Sequence, residues 1–159
     1  MIIYLDVCCL NRPFDDLEQE RIKLEVEAVI IILNRCNLTE WELISSDIIT
    51  LEIKQTPDLD KQKRLNQILS IANSKISFIE KIEKRAKELT TLGFKTFDAL
   101  HIASAEEGNV NILLTTDDRF LRKSITYGNH LQVKLANPVQ WLISIIQAEG
   151  ETENEANRN

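Results

Sequence analysis

The sequence has no apolar run near the roughly 20 residues that cross a bilayer, so a membrane-spanning helix is not expected. Its first residues carry neither a basic segment nor a small-residue cleavage motif. No secretory leader is expected, and the expected location is the cytoplasm. Cysteine is scarce and odd in number: Cys8, Cys9 and Cys36, the first two adjacent. This fits neither a disulfide framework nor a zinc-ligand spacing, and reduced, mostly buried thiols are expected. A cysteine nucleophile would want a histidine, and His101 and His130 lack any cysteine-protease context. Positive charge is in deficit, with 19 Lys+Arg against 25 Asp+Glu and a net charge of −6, which argues against a simple basic nucleic-acid binder. The stretch Glu149 to Asn159 carries four Glu and one Arg, however, leaving −3 on the rest. A few acids gathered in one metal site would account for most of that, so a polyanionic substrate stays open. Neither an internal repeat nor a low-complexity core segment is found.

What is present suits one soluble globular domain. The 159 residues are 43% hydrophobic and 28% charged, enough to bury a substantial core. Residues 1–148 are expected to form a single domain, followed by an acidic tail, 149–159, expected to be disordered.

Met1-Ile2-Ile3-Tyr4-Leu5 is a short continuous apolar run that reads as a buried parallel strand, and it ends on Asp6. Val7 to Pro13 follows as a loop. A long helix is then expected from about Asp15 to Arg35, with Asp15 and Glu18 as a capping box. Trp41 to Ser45 reads as a second strand. Ser46-Asp47 caps a short helix, Ile48 to Lys54, and Thr56-Pro57 starts another. Lys75 to Glu80 is a weaker third strand. Lys81 to Leu92 is helical and closed by Gly93, and Thr96 caps a helix from Phe97 to Glu107. Ile112 to Thr116 is a clear buried strand, followed directly by Asp117-Asp118 and a short helix, Arg119 to Lys123. Leu131 to Leu135 alternates like an edge strand, and Asn137-Pro138 opens a last helix. Strands alternating with helices imply an α/β fold with a parallel sheet and right-handed crossovers.

In such a sheet, ligand chemistry collects beyond the carboxyl ends of the strands. Asp6 ends the first strand, Glu52 follows the second, and Asp117 ends the clear fourth strand. Asp98 sits in the first turn of a helix and joins them if that helix begins beside them. Each has an ordinary reading too: Asp98 and Asp117 as helix-start residues, Glu52 as a solvated helix residue. Asp6 is the hardest to explain so, because an acid after a buried apolar strand is costly without a partner. Carboxylates at close range repel unless a cation neutralises them. Hard oxygen ligands select Mg²⁺ or Mn²⁺, and such a site suits phosphodiester hydrolysis.

With those residues in view, the chain resembles the PIN-domain family of metal-dependent nucleases, in particular its toxin-type (VapC-like) members. Ile2-Ile3-Tyr4-Leu5-Asp6 is similar to the family's opening strand and first acid. Ser45 to Glu52 is similar to its second motif. Phe97-Asp98-Ala99-Leu100-His101-Ile102-Ala103-Ser104-Ala105 carries the most specific likeness, and Leu114 to Phe120 resembles the fourth motif. The resemblance covers roughly residues 1–146. It implies a three-layer α/β/α sandwich around a central parallel sheet, and Mg²⁺ or Mn²⁺ held by Asp6, Glu52, Asp98 and Asp117. It further implies cleavage of single-stranded RNA, a homodimer and a cognate antitoxin.

The chain departs from the family just after the first acid, where Val7-Cys8-Cys9 replaces the usual Ser or Thr. Asn11 and Arg12 are candidate substrate contacts from that loop, with a turn residue and a solvated arginine as the alternatives. Asp118 is the register alternative to Asp117 and is expected to face solvent. His101 is expected mainly to pack. Lys54, Lys61, Lys63, Arg64, Lys81, Lys84, Arg85, Lys87 and Lys95 crowd between the second and third acids, mostly on solvated faces. The competing reading is a non-catalytic PIN-like module that binds RNA or protein. A haloacid-dehalogenase-type phosphatase would need an acid where Cys8 stands, and a receiver domain a lysine after a late strand, whereas Lys134 lies within one.

Overall fold

A computed structural model describes residues 1–158. Five strands, β1 (Ile2–Leu5), β2 (Glu42–Ser46), β3 (Ser74–Ile76), β4 (Ile112–Leu114) and β5 (Lys134–Ala136), form one sheet. All its pairs are parallel and its order is β3-β2-β1-β4-β5. The helices are α1 (Val7–Asn11), α2 (Glu20–Asn37), α3 (Asp47–Lys54), α4 (Leu59–Leu69), α5 (Glu80–Thr91), α6 (Thr96–Glu107), α7 (Asp118–Thr126) and α8 (Pro138–Ala156). The architecture is the expected α/β/α sandwich. β1 is the middle strand, and Ile3, Tyr4 and Leu5 are buried with Leu113 and Leu114 of β4 beside them. Continuous apolar strands are what a sheet covered on both faces requires. α2 packs on α8, and α6 packs on α5 and α3.

The sheet order brings the C-terminal ends of β1, β2 and β4 to one edge, with β5 at the rim as the alternating pattern suggested. β5 itself is shorter and later than expected. Several helix starts differ from the sequence reading. The segment after Asp6 is no loop: Asp6 caps α1 by accepting from the Val7 N–H, and a 3-10 turn, Arg12–Phe14, follows. α2 begins at Glu20 rather than Asp15; Asp15 instead closes the 3-10 turn, its N–H donating to the Arg12 carbonyl and its carboxylate pairing with the Arg12 guanidinium. Asp58, not Thr56, caps α4, accepting from the Asp60 and Lys61 N–H groups. Thr96 lies inside α6, whose N-cap position is held by Lys95 without a side-chain bond.

The tail differs most. Disorder was expected from residue 149, yet α8 continues to Ala156. A helix already nucleated on packed residues such as Trp141 and Leu142 extends at little cost per residue. Arg35 also grips the carboxylate of Glu149 at 2.7 and 3.1 Å. The last residue of that expected tail, Asn159, lies outside the described residues. No described helix is long and apolar enough to cross a membrane.

Candidate active site

Asp6 stands at the C-terminal end of β1 and is itself buried. Its backbone N–H donates to the Leu114 carbonyl at 3.0 Å, which keeps it in sheet register with β4. Its carboxylate is held from two sides. Oδ1 accepts the Val7 N–H at 2.7 Å, and Oδ2 accepts the Thr115 hydroxyl at 2.8 Å. The hydroxyl that the segment after Asp6 lacks is thus supplied across the sheet by Thr115, directly beyond β4. Cys8 occupies the vacated place, with Sγ 3.3 Å from Asp6 Oδ2 and 3.2 Å from Thr115 Oγ1. Thr115 was missed in the sequence, where it read only as the end of an apolar strand.

Glu52 reaches the same edge from α3, whose start is fixed by Ser46 Oγ accepting the Ile49 N–H. Between Glu52 and Asp6 stands His101, one turn beyond Asp98 on α6 and 1% exposed. Its Nε2 is 2.6 Å from Glu52 Oε2 and 3.6 Å from Asp6 Oδ1. His101 therefore does more than the packing expected of it. Burial disfavours its charged form, but the hydrogen bond to Glu52 and the charges of Asp6, Glu52 and Asp98 outweigh that, so its pKa is raised. Asp6, Glu52 and His101 offer polar atoms all within 4.8 Å of one another.

Asp98 and Asp117 lie outside that tight group but within its field. Asp98, in the first turn of α6, is pushed up to about 6, first by burial and then by the charges of Asp6 and Asp117. Asp117 caps α7, its Oδ1 accepting from the Arg119 and Phe120 N–H groups. Asp118 is turned away and clasped by Arg21 through two contacts of 2.7 Å.

The two loop candidates fare differently. Asn11 ends α1, and its Oδ1 is buried without a partner among the described residues. The Arg12 guanidinium is already engaged through Nε and Nη1, 2.6 Å from Glu25 and 2.6 Å from Asp15. Four of the nine crowded cations are also paired locally: Lys81 with Glu107, Lys84 with Glu80, Lys87 with Glu83, and Arg85 with Glu106.

Such an edge stores like-charge repulsion, and Asp98 registers it. A carboxyl whose folded pKa lies above its unfolded value contributes stability that is complete below pH about 4 and lost as pH rises through about 6. Without metal, Asp98→Asn should flatten that loss and raise stability at pH 8 by about 1–2 kcal/mol, after discounting for solvent screening. Thermal melts in a chelator from pH 4.5 to 8 measure it. An unchanged slope in the variant would refute the assignment.

A family model described as the PIN domain matches residues 3–125. Among solved structures, VapBC2 from Rickettsia felis, bound to a DNA fragment from its promoter, is similar at 17% identity and a TM-score of 0.56. That alignment covers 86% of this chain and 98% of the other. VapBC-1 from nontypeable Haemophilus influenzae is similar at 18% identity and a TM-score of 0.56, covering 87% and 98%. These two likenesses are of fold. No curated protein matches the chain.

Proposed function

The chain belongs to the PIN-domain family, and from that premise we propose that it is a metal-dependent endoribonuclease of toxin type, hydrolysing phosphodiester bonds of single-stranded RNA. Asp6, Glu52, Asp98 and Asp117 are its catalytic acids and the ligands of Mg²⁺ or Mn²⁺. One observation carries the reading: Asp6, at the end of β1, and Glu52, from α3, bring carboxylate oxygens within 4.8 Å of each other beside His101, and burial, followed by the charges of Asp6 and Asp117, pushes Asp98 up to about 6. The donor set fits the ion, since carboxylate oxygens suit a hard divalent cation and acids held within one another's field favour positive charge. When bound, the ion supplies a water of lowered pKa and charge stabilisation at the phosphorus.

The chain's own groups prepare that edge. Thr115 and the Val7 N–H fix both oxygens of Asp6. The first turn of α7 fixes Asp117. Burial and the charges of Asp6 and Asp117 make Asp98 hold a proton more readily than an ordinary carboxyl.

A cognate antitoxin protein and a second copy of the chain are the partners in this reading, and the cytoplasm its location. The printed names of both structural neighbours describe VapBC assemblies, which supports the antitoxin. The direct test is cleavage of labelled single-stranded RNA by the purified chain. Cleavage should need Mg²⁺ or Mn²⁺, stop on adding a chelator, and return when the metal is restored. Cleavage indifferent to the chelator would sink the reading. Absence of turnover with either metal would leave the non-catalytic binding module.

A further inference from the structure

β1 is an apolar strand with one polar handle, the hydroxyl of Tyr4, and that handle lies fully inside the protein. Tyr4 stands two residues before Asp6, so both side chains fall on the same side of the strand. Its hydroxyl is 2.8 Å from Ser46 Oγ and 2.6 Å from His101 Nδ1. Ser46 Oγ also accepts the Ile49 N–H at 3.1 Å. The far side of the His101 ring meets Glu52 at 2.6 Å. Ser46 and Tyr4 are 0% exposed and His101 1%. These contacts form a continuous buried chain from the α3 N-terminus through β1 and α6, back to the acid that α3 carries.

The proton positions follow from the distances. A carboxylate oxygen and a bare ring nitrogen cannot face each other at 2.6 Å, because both would present lone pairs. Nε2 therefore carries hydrogen and donates it to Glu52 Oε2, whether the ring is neutral or charged. In the neutral ring Nδ1 must then accept, and the Tyr4 O–H is aimed at it. Tyr4 also packs edge-on to the ring, with centroids 5.6 Å apart, and Phe97 lies 6.3 Å from it on the α6 side. The ring is thus fixed in both tilt and tautomer.

We propose that His101 is a positioning residue and not a metal ligand: its Nε2–H sets the orientation of Glu52, and Tyr4, backed by Ser46, sets the orientation of His101. A ring nitrogen that carries hydrogen has no lone pair to give a cation, although His101 Nε2 lies within ligand distance of both acids. The assignment rests on the reading of Glu52 as a metal ligand. It makes Tyr4 and Ser46 part of the site at one further remove, and it accounts for polar groups buried at the very centre of the sheet, where an apolar residue would be cheaper.

Three variants and a spectrum test it. Gln at position 101 can still donate from the place of Nε2, and Leu cannot. Mn²⁺ affinity, read by calorimetry, should fall about 10–100-fold in His101→Leu and less than about tenfold in His101→Gln, with Tyr4→Phe between them. Long-range nitrogen–proton NMR of the metal-free chain should show hydrogen on Nε2 of His101. Tyr4→Phe, which keeps the ring volume, should broaden or shift the Nδ1 signal while the Nε2 hydrogen stays in place. Equal losses in the Gln and Leu variants would make His101 a ligand and overturn the proposal, as would a bare Nε2. If the wild-type chain binds no Mn²⁺, the nuclease reading fails by itself, and the spectrum alone upholds or overturns the Glu52 contact.

Discussion

Replacing Asp6 by Asn is expected to lower metal-dependent RNA cleavage by more than the roughly 10–100-fold that loss of a merely supporting partner costs, with the fold left standing. The fold survives because Asn keeps what the structure asks of this side chain. Its amide oxygen can still accept the Val7 N–H that opens α1, and Thr115 Oγ1 can accept from the new amide. One negative charge disappears from beside Asp98, so the like-charge strain there is relieved. The metal-free variant should therefore melt at the same temperature as the parent or slightly above it. Activity falls for the opposite reason: the acid best fixed at the edge no longer offers two anionic oxygens to a cation. Matched melting curves and cleavage rates in Mn²⁺ measure both halves, and undiminished cleavage would remove Asp6 from the chemistry.

Glu25→Ala is expected to destabilise the protein by about 3–5 kcal/mol, the usual cost of removing one partner from a buried ion pair. Glu25 lies on α2 with 1% of its surface exposed, and both its oxygens are occupied. Oε2 accepts from Arg12 at 2.6 Å, and Oε1 from Arg21 at 2.8 Å and from Asn137 at 3.1 Å. A single carboxylate thus joins α2 to the 3-10 turn after α1 and to the residue that caps α8. Alanine leaves the mostly covered Arg12 guanidinium with Asp15 as its one remaining carboxylate among the described residues, and the group left behind carries most of the cost. Because Arg21 also clasps Asp118 and reaches the Thr116 carbonyl, disturbance should spread to the turn that presents Asp117. Urea titration gives the stability change. A loss under about 1 kcal/mol would mean that the network is solvated in solution.

How much of this was legible in the sequence depended on whether a residue's task is local. β1 and β4 could be read from their apolar runs, and Asn137-Pro138 marked the start of α8, because strand burial and helix capping are written in adjacent residues. The nearness of Asp6 and Glu52 was foreshadowed by parallel topology, since strand ends of one direction share an edge and α3 starts where β2 ends. What could not be read was set by partners distant in sequence. Glu25 sits in a helical pattern like any surface glutamate, and only the fold brings Arg12 and Asn137 to it, 13 and 112 residues away. For the same reason Arg12 read as a free cation and Asp15 as a cap, when each occupies the other. His101 had the spacing to join Asp98, yet its contacts with Tyr4 and Glu52 come from β1 and α3. Thr115 was hidden by following directly on the apolar run Ile112 to Leu114, where nothing local shows that it faces Asp6.

The middle position of β1 has a bearing on when the protein can become functional during its own synthesis. The strand bearing Asp6 is made before the other four described strands, but its neighbour on one side, β4, is made only at residues 112–114. A nascent chain that stops short of residue 112 holds Asp6, Glu52 and Asp98 and lacks the Leu114 carbonyl, the Thr115 hydroxyl and Asp117. Its oldest strand keeps an open edge, and its first acid has neither register nor a hydroxyl partner. A chain interrupted before residue 112 therefore lacks the strand and the hydroxyl that hold Asp6 in place, so the order of strands in the sheet delays the fixing of that acid until β4 is made.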